Sequence, residues 1–168
     1  MRAEPERFVL LYQDELTVYR QPTQGWLWAH MGRCQPRMRY ASKHNTSMRL
    51  VGFLNAVTGA VHCHDMKSVT GDRLVELLRR VPDWYPQAER IYVVWDNWQN
   101  HRLPKVCRAL ERLPRIEVLP LPSYSPWLNP IEKLWRWLYQ TTIHAHRFSN
   151  DFLQFRDRIL EALATHEN

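Results

Sequence analysis

The stretch RIYVVWDNWQNHRLPKVCRALERLPRIEVLPL, Arg90 to Leu121, decides the fold class. Arg90 to Trp95 is an apolar run of β-branched and aromatic residues of the kind buried in a sheet, and Asp96 and Asn97 follow at its end. Leu103, Val106, Cys107 and Leu110 then recur at helical spacing, with Pro104 tolerated in the first turn. Ile116 to Leu121 is a second short strand. Strand, helix and strand in this order make a crossover, which favours parallel pairing and an α/β domain.

Working outward, Phe8 to Gln13 (FVLLYQ) reads as a strand ending on Asp14 and Glu15, and Gly25 to Met31 as an extended piece. Met48 to Val57 and Ala60 to His64 read as two strands joined by a turn at Thr58 and Gly59. Leu74, Leu77, Leu78 and Val81 mark an amphipathic helix after Gly71, stopped by Pro82. Downstream, a proline-rich loop leads into a helix with Ile131, Leu134, Trp135 and Leu138 on one stripe. A last helix begins near Ser149, with Phe152, Phe155, Ile159 and Leu163 on one face. No repeat or linker divides the chain, so residues 1–168 are expected to form one domain whose early strands are antiparallel and later ones parallel. In such a sheet the ligand site lies beyond the carboxyl ends of the parallel strands.

With 45% hydrophobic and 24% charged residues the composition is that of a globular protein. Lys and Arg number 23 against 17 Asp and Glu, a formal charge of +6 that suits an acidic partner such as nucleic acid. Between Leu16 and His64 there is no acid, yet Arg33, Arg37, Arg39, Lys43 and Arg49 fall there, so this stretch is the candidate DNA-backbone contact. Three widely spaced cysteines argue against a disulfide framework. His62, Cys63 and His64 do not make a zinc site, because consecutive strand residues point to opposite faces. Neither a signal peptide nor a run of about 18 apolar residues is present, and a cytoplasmic, nucleoid-associated protein is expected.

The segment YSPWLNPIEKLW, Tyr124 to Trp135, has two readings. Asn129 is a good N-cap and Pro130 suits the first helical position, which puts Glu132 where a capping glutamate reaches back to the N-cap backbone. Glu132 also flanks the buried stripe, where it can face the strand ends that carry Asp14 and Asp96. Three converging carboxylates repel one another unless a cation lies among them, and hard oxygen ligands suit Mg²⁺ or Mn²⁺.

In their order, LLYQDE, VVWDNWQNH and YSPWLNPIEKLW resemble the catalytic core of DDE transposases, specifically the mariner-like bacterial insertion-sequence group of the retroviral-integrase superfamily. The 35 residues between Asp96 and Glu132 (97–131) are similar to that family's spacing. The resemblance implies a ribonuclease H-like fold with a mixed five-stranded sheet flanked by helices, and assigns Asp14, Asp96 and Glu132 as catalytic metal ligands. It implies hydrolysis of DNA at element ends with Mg²⁺ or Mn²⁺, two ions, followed by attack of the freed 3′ hydroxyl on target DNA. Asn97 and His101 match further motif positions and are expected to support the site, with Asn129 shaping the helix that aims Glu132. The family's helix-turn-helix segments are expected to be absent, since 13 residues precede Asp14; a separate polypeptide or a homodimer would then accompany the domain on double-stranded DNA. The other readings are an inactive relic acting as a DNA-binding or oligomerisation module, and a general nuclease of the same fold. Among the tryptophans, Trp98 and Trp127 lie in loops beside the motifs and are the candidates for base stacking.

Overall fold

The computed structural model describes residues 7–23, 28, 30–33, 38, 40–42, 45–123 and 125–165. Five strands form one sheet: β1 (Phe8–Tyr19), β2 (Ser47–Asn55), β3 (Val61–Met66), β4 (Arg90–Trp95) and β5 (Ile116–Pro120), in the order β3-β2-β1-β4-β5. β1, β2 and β3 pair antiparallel, whereas β4 pairs parallel with both β1 and β5, giving the expected mixed sheet.

Helices cover both faces. Val9 and Leu11 of β1, Val51 and Phe53 of β2, and Ile91 and Val93 of β4 pack with Leu74, Leu77, Leu78 and Val81 of α1 (Gly71–Trp84) and Val106 of α2 (Pro104–Glu111). Val18, Met48 and Leu50 have the opposite parity, and they pack with Ile131, Trp135 and Leu138 of α3 (Ile131–Leu138) and Phe155, Ile159 and Leu163 of α4 (Phe152–Ala164). Strand alternation thus supplies two cores from one sheet. No helix among the described residues is long and apolar enough to cross a membrane.

The structure differs from the sequence reading at three points. Asp14 is not at a strand end: β1 continues to Tyr19 because Glu15 to Tyr19 find partners on β2, with Asp14 opposite Gly52. Pro82 lies inside α1, two residues before its end, so the helix gives up one i to i−4 hydrogen bond there and stops at Trp84. The α3 start is displaced by one position: Pro130 precedes its first helical residue, Ile131. The stretch Gly25 to Met31 lies largely outside the described residues. On β3, His62 and His64 both stack on Trp84 while Cys63 packs toward α3 and α4, so the three do split between faces.

Candidate active site

Three elements deliver the predicted acids to one place. Asp14 projects from the middle of β1 on the α3 side, Asp96 follows the last residue of β4, and Glu132 lies in the first turn of α3. All three line a cavity of about 410 Å³, together with Asn97, Trp98, Leu121, Pro122, Ser123, Ser125 and Asn129. Because β1 and β4 are parallel neighbours, the chain leaving β4 beside Val94 and Trp95 passes the level of Asp14, two residues beyond the register pair Tyr12 and Val94.

Helix α3 is anchored at that level by polar contacts. Buried Asn129 donates from Nδ2 to the Gln13 carbonyl at 3.1 Å and accepts weakly from the Ile131 N–H at 3.4 Å. The Glu132 N–H donates to the Asn129 carbonyl, and no hydrogen bond from the Asn129 N–H to the Glu132 carboxylate is found among the described residues. The capping box is therefore not formed, and the exposed Glu132 carboxylate faces the cavity.

One turn along, Trp135 donates from Nε1 to Asp14 Oδ2 at 3.0 Å. The Trp135 ring lies directly on Gly52, where a Cβ would come within 2.7 Å of its Cη2. Gly52 thus makes room for the ring that fixes Asp14 on the neighbouring strand. Burial is the main force that raises the Asp14 pKa from 3.8 to about 7, and the negative charges of Glu132 and Glu15 add to it. The Glu15 N–H and the Trp135 indole act in the opposite sense without cancelling it.

Asp96 is exposed, and its Oδ1 accepts from the Trp98 N–H at 2.9 Å in a tight turn. Asn97 donates from Nδ2 to the Leu121 carbonyl at 2.8 Å and accepts from Arg102, which ties the β4 and β5 ends together. His101 is buried and does not line the cavity; its ring stacks on Trp95 behind Asp96. Of the predicted DNA contacts, Arg33 and Arg49 are exposed and neither lines the cavity. Arg37, Arg39 and Lys43 lie outside the described residues. Trp98 packs into the core and edge-on to His101, whereas Trp127 is 76% exposed on the loop beside the cavity.

Sequence reasoning missed Glu15, Gln13 and Trp135 as parts of this site. The signal for the first two was present in LLYQDE, since residues flanking Asp14 on a strand share the face opposite to it. For Trp135 the signal was its place one turn after Glu132.

The oxygen-rich lining suits a hard divalent cation. Among the described residues the lining holds three carboxylates, a carboxamide from each of Asn97 and Asn129, and two serines, with no thiol or imidazole. Asp14, whose charge is disfavoured by burial, is the group that such a cation would benefit most.

A family model described as DDE superfamily endonuclease matches residues 9–156. Over 141 residues the chain is 30% identical to the insertion element IS630 uncharacterized 39 kDa protein of Shigella sonnei, covering 84% of this chain and 40% of that protein. Among solved structures, the Mos1 transposase paired-end complex with left transposon end matches with a TM-score of 0.69 at 20% identity, over 94% of this chain and 49% of that one. The mariner Mos1 paired end complex with Mg matches with a TM-score of 0.55 at 18% identity, over 95% of this chain and 56% of that one. The chain thus spans 40% of the curated relative and about half of each solved chain. At these identities the structural likeness is one of fold, the ribonuclease H-like arrangement expected from the motifs. With the family match running from the first strand into the last helix, this chain belongs to the DDE superfamily endonucleases.

Proposed function

We propose that this domain is the catalytic core of a transposase, cutting DNA at element ends and joining the freed 3′ hydroxyl to target DNA. One observation carries the reading: in a chain of this family, acids from β1, the β4 end and the start of α3 face a single cavity open to solvent. Asp14, Asp96 and Glu132 are the residues that would hold Mg²⁺ or Mn²⁺. Bound there, two such ions lower the pKa of an attacking water or hydroxyl and neutralise charge on the leaving oxygen.

The chain's own groups do the rest. Trp135 and the Glu15 N–H hold Asp14 in one orientation, and the Trp98 N–H does the same for Asp96. The exposed Arg33 and Arg49, with Arg37, Arg39 and Lys43, are the cations we assign to the DNA backbone. End recognition we assign to a helix-turn-helix region outside residues 9–156 or to a partner polypeptide, and a DNA-bound homodimer is compatible with this arrangement. A DNA partner would place the protein at the nucleoid. That all three acids are retained supports an enzyme over a relic.

The test is cleavage of supercoiled plasmid and of element-end duplexes with Mg²⁺ or Mn²⁺, with wild type compared to Asp96→Asn and Glu132→Gln. We expect metal-dependent nicking that falls by at least about 100-fold in either variant, above the range for loss of an outer-sphere partner. Glu132→Gln keeps a side chain able to cap a helix, so a folded but inactive variant marks its charge as the functional property. Full cleavage by either variant would refute these assignments.

A further inference from the structure

Behind the cavity, on the α1 and α2 side of the sheet, a buried polar chain joins the segments that carry the three acids. His101 is 4% exposed, with its ring parallel to Trp95 at 4.2 Å and Trp98 edge-on at 5.5 Å. Its Nδ1 lies 3.0 Å from the Asp96 carbonyl oxygen. A carbonyl only accepts, so Nδ1 carries a proton and donates it there. The other nitrogen, Nε2, is sealed from solvent without a hydrogen bond among the described residues, and Glu15 Oε1 packs against it at 3.4 Å. Glu15 Oε1 accepts from Gln13 Nε2 at 2.7 Å, and the Gln13 carbonyl accepts from Asn129 at the start of α3. Gln13 is 1% exposed, Asn129 4% and the Glu15 side chain 17%, so these links lie largely away from water, where a contact is hard to replace.

The arrangement is specific about position. Gln13 and Glu15 flank Asp14 in sequence but face the opposite side of the sheet, so they can fix the backbone of Asp14 without entering the cavity. Asp96 sits just past the last residue of β4, where sheet hydrogen bonds no longer constrain it, and His101 grips that free end. Without this grip the exposed Asp96 would be held by its own turn and by the bonds of its neighbour Asn97.

We propose that His101, Glu15 and Gln13 form a positioning relay that holds the Asp96 segment against β1 and so sets the separation of Asp96 from Asp14. The metal-facing consequence rests on the function proposed above; the mechanical one does not. Neither His101 nor Glu15 contacts DNA or metal in this proposal: both act through the backbone of the residues that do.

Two readouts test it. The first needs no metal: hydrogen exchange of the Trp98 amide, whose acceptor is Asp96 Oδ1, reports how firmly the Asp96 turn is held. Glu15→Ala and His101→Ala should each speed that exchange by about tenfold, while amides of α4 are unaffected. The second is Mn²⁺ titration by electron paramagnetic resonance on the whole chain. Each alanine variant should weaken binding by about 10–100-fold, the double variant no more than the worse single one, because one relay is lost in each case. Glu15→Gln keeps Oε1 for the Gln13 amide and the bulk packed against His101, and should restore binding and exchange to within about threefold of wild type. If Glu15→Gln is as damaged as Glu15→Ala, Glu15 acts through its charge and the relay is wrong. Unchanged Trp98 exchange in Glu15→Ala also overturns it. A wild type that binds no Mn²⁺ refutes the proposed function instead, and the exchange measurement still decides the relay.

Discussion

Replacing Asp14 by Asn should make the metal-free protein more stable while removing its activity. Asp14 is mostly buried and feels the negative charge of Glu132 and Glu15, and its pKa rises from 3.8 to about 7, chiefly through burial. A raised carboxylate pKa means that the folded state favours the proton. The contribution of Asp14 to stability is therefore full below pH 4, is lost as pH rises to about 7, and changes no further above that. The span from 3.8 to about 7, at about 1.4 kcal/mol per pH unit, corresponds to about 4 kcal/mol. Because the cavity is open to water, we expect about 2–4 kcal/mol of this to be realised. Asn keeps an oxygen for the Trp135 indole and never ionises. At pH 8 Asp14→Asn should exceed wild type by that amount, or about 10 °C in thermal midpoint, and at pH 4 the gap should close. Urea denaturation followed by tryptophan fluorescence at both pH values measures it. Saturating Mg²⁺ at pH 8 should stabilise wild type by about 3 kcal/mol at 100 times its Kd and leave the variant nearly unchanged. An equal difference at pH 4 and pH 8, or equal stabilisation of both proteins by Mg²⁺, would refute the reasoning.

Two further substitutions probe neighbouring parts of the site. Gly52→Ala puts a methyl within 2.7 Å of the Trp135 ring, so calorimetry should show a loss of about 1–3 kcal/mol, and plasmid nicking should fall because Asp14 loses its indole donor. Trp127→Ala should leave the thermal midpoint unchanged, since the ring is 76% exposed, yet weaken binding to single-stranded or distorted DNA ends by about 1–3 kcal/mol in fluorescence anisotropy, the worth of one stacked base.

What the sequence revealed and what it hid follow from how locally each feature is encoded. The α1 stripe and the β4 run were legible because a single element's periodicity reports its own burial. Asp96 and Glu132 were legible as candidates because both stand at element ends, which turn and capping chemistry mark. The length of β1 was not, because Asp14 and Glu15 interrupt its apolar run and only pairing with β2, 28 to 36 residues away in sequence, carries it on to Tyr19. The start of α3 was also placed one residue early: Asn129 accepts only weakly from the Ile131 N–H, and its Nδ2 bond to the Gln13 carbonyl across the fold has no signature in the local sequence. The relay through His101 was hidden for the same reason, since its contacts join residues 2, 5, 86 and 116 positions apart.

The placement of Asp14 in mid-strand explains why so much of the surrounding polar structure is buried. An acid past a strand end can turn out into water, as the exposed Asp96 does. An acid between two paired neighbours cannot move away, so it keeps its burial and its repulsion with Glu132 and Glu15. The fold answers with fixed donors, the Trp135 indole and the Glu15 N–H, which orient the carboxylate yet leave it short of full compensation. That shortfall favours cation capture: the less the protein satisfies Asp14, the more of its interaction energy remains for a divalent ion. The acid outside the sheet ladder is then Asp96, and an acid fixed in the sheet opposite one beyond its end would bind a metal poorly unless something held the second in place. His101, shut between Trp95 and Trp98 and facing Glu15, is placed to do this, and it is why a residue outside the cavity should influence metal affinity.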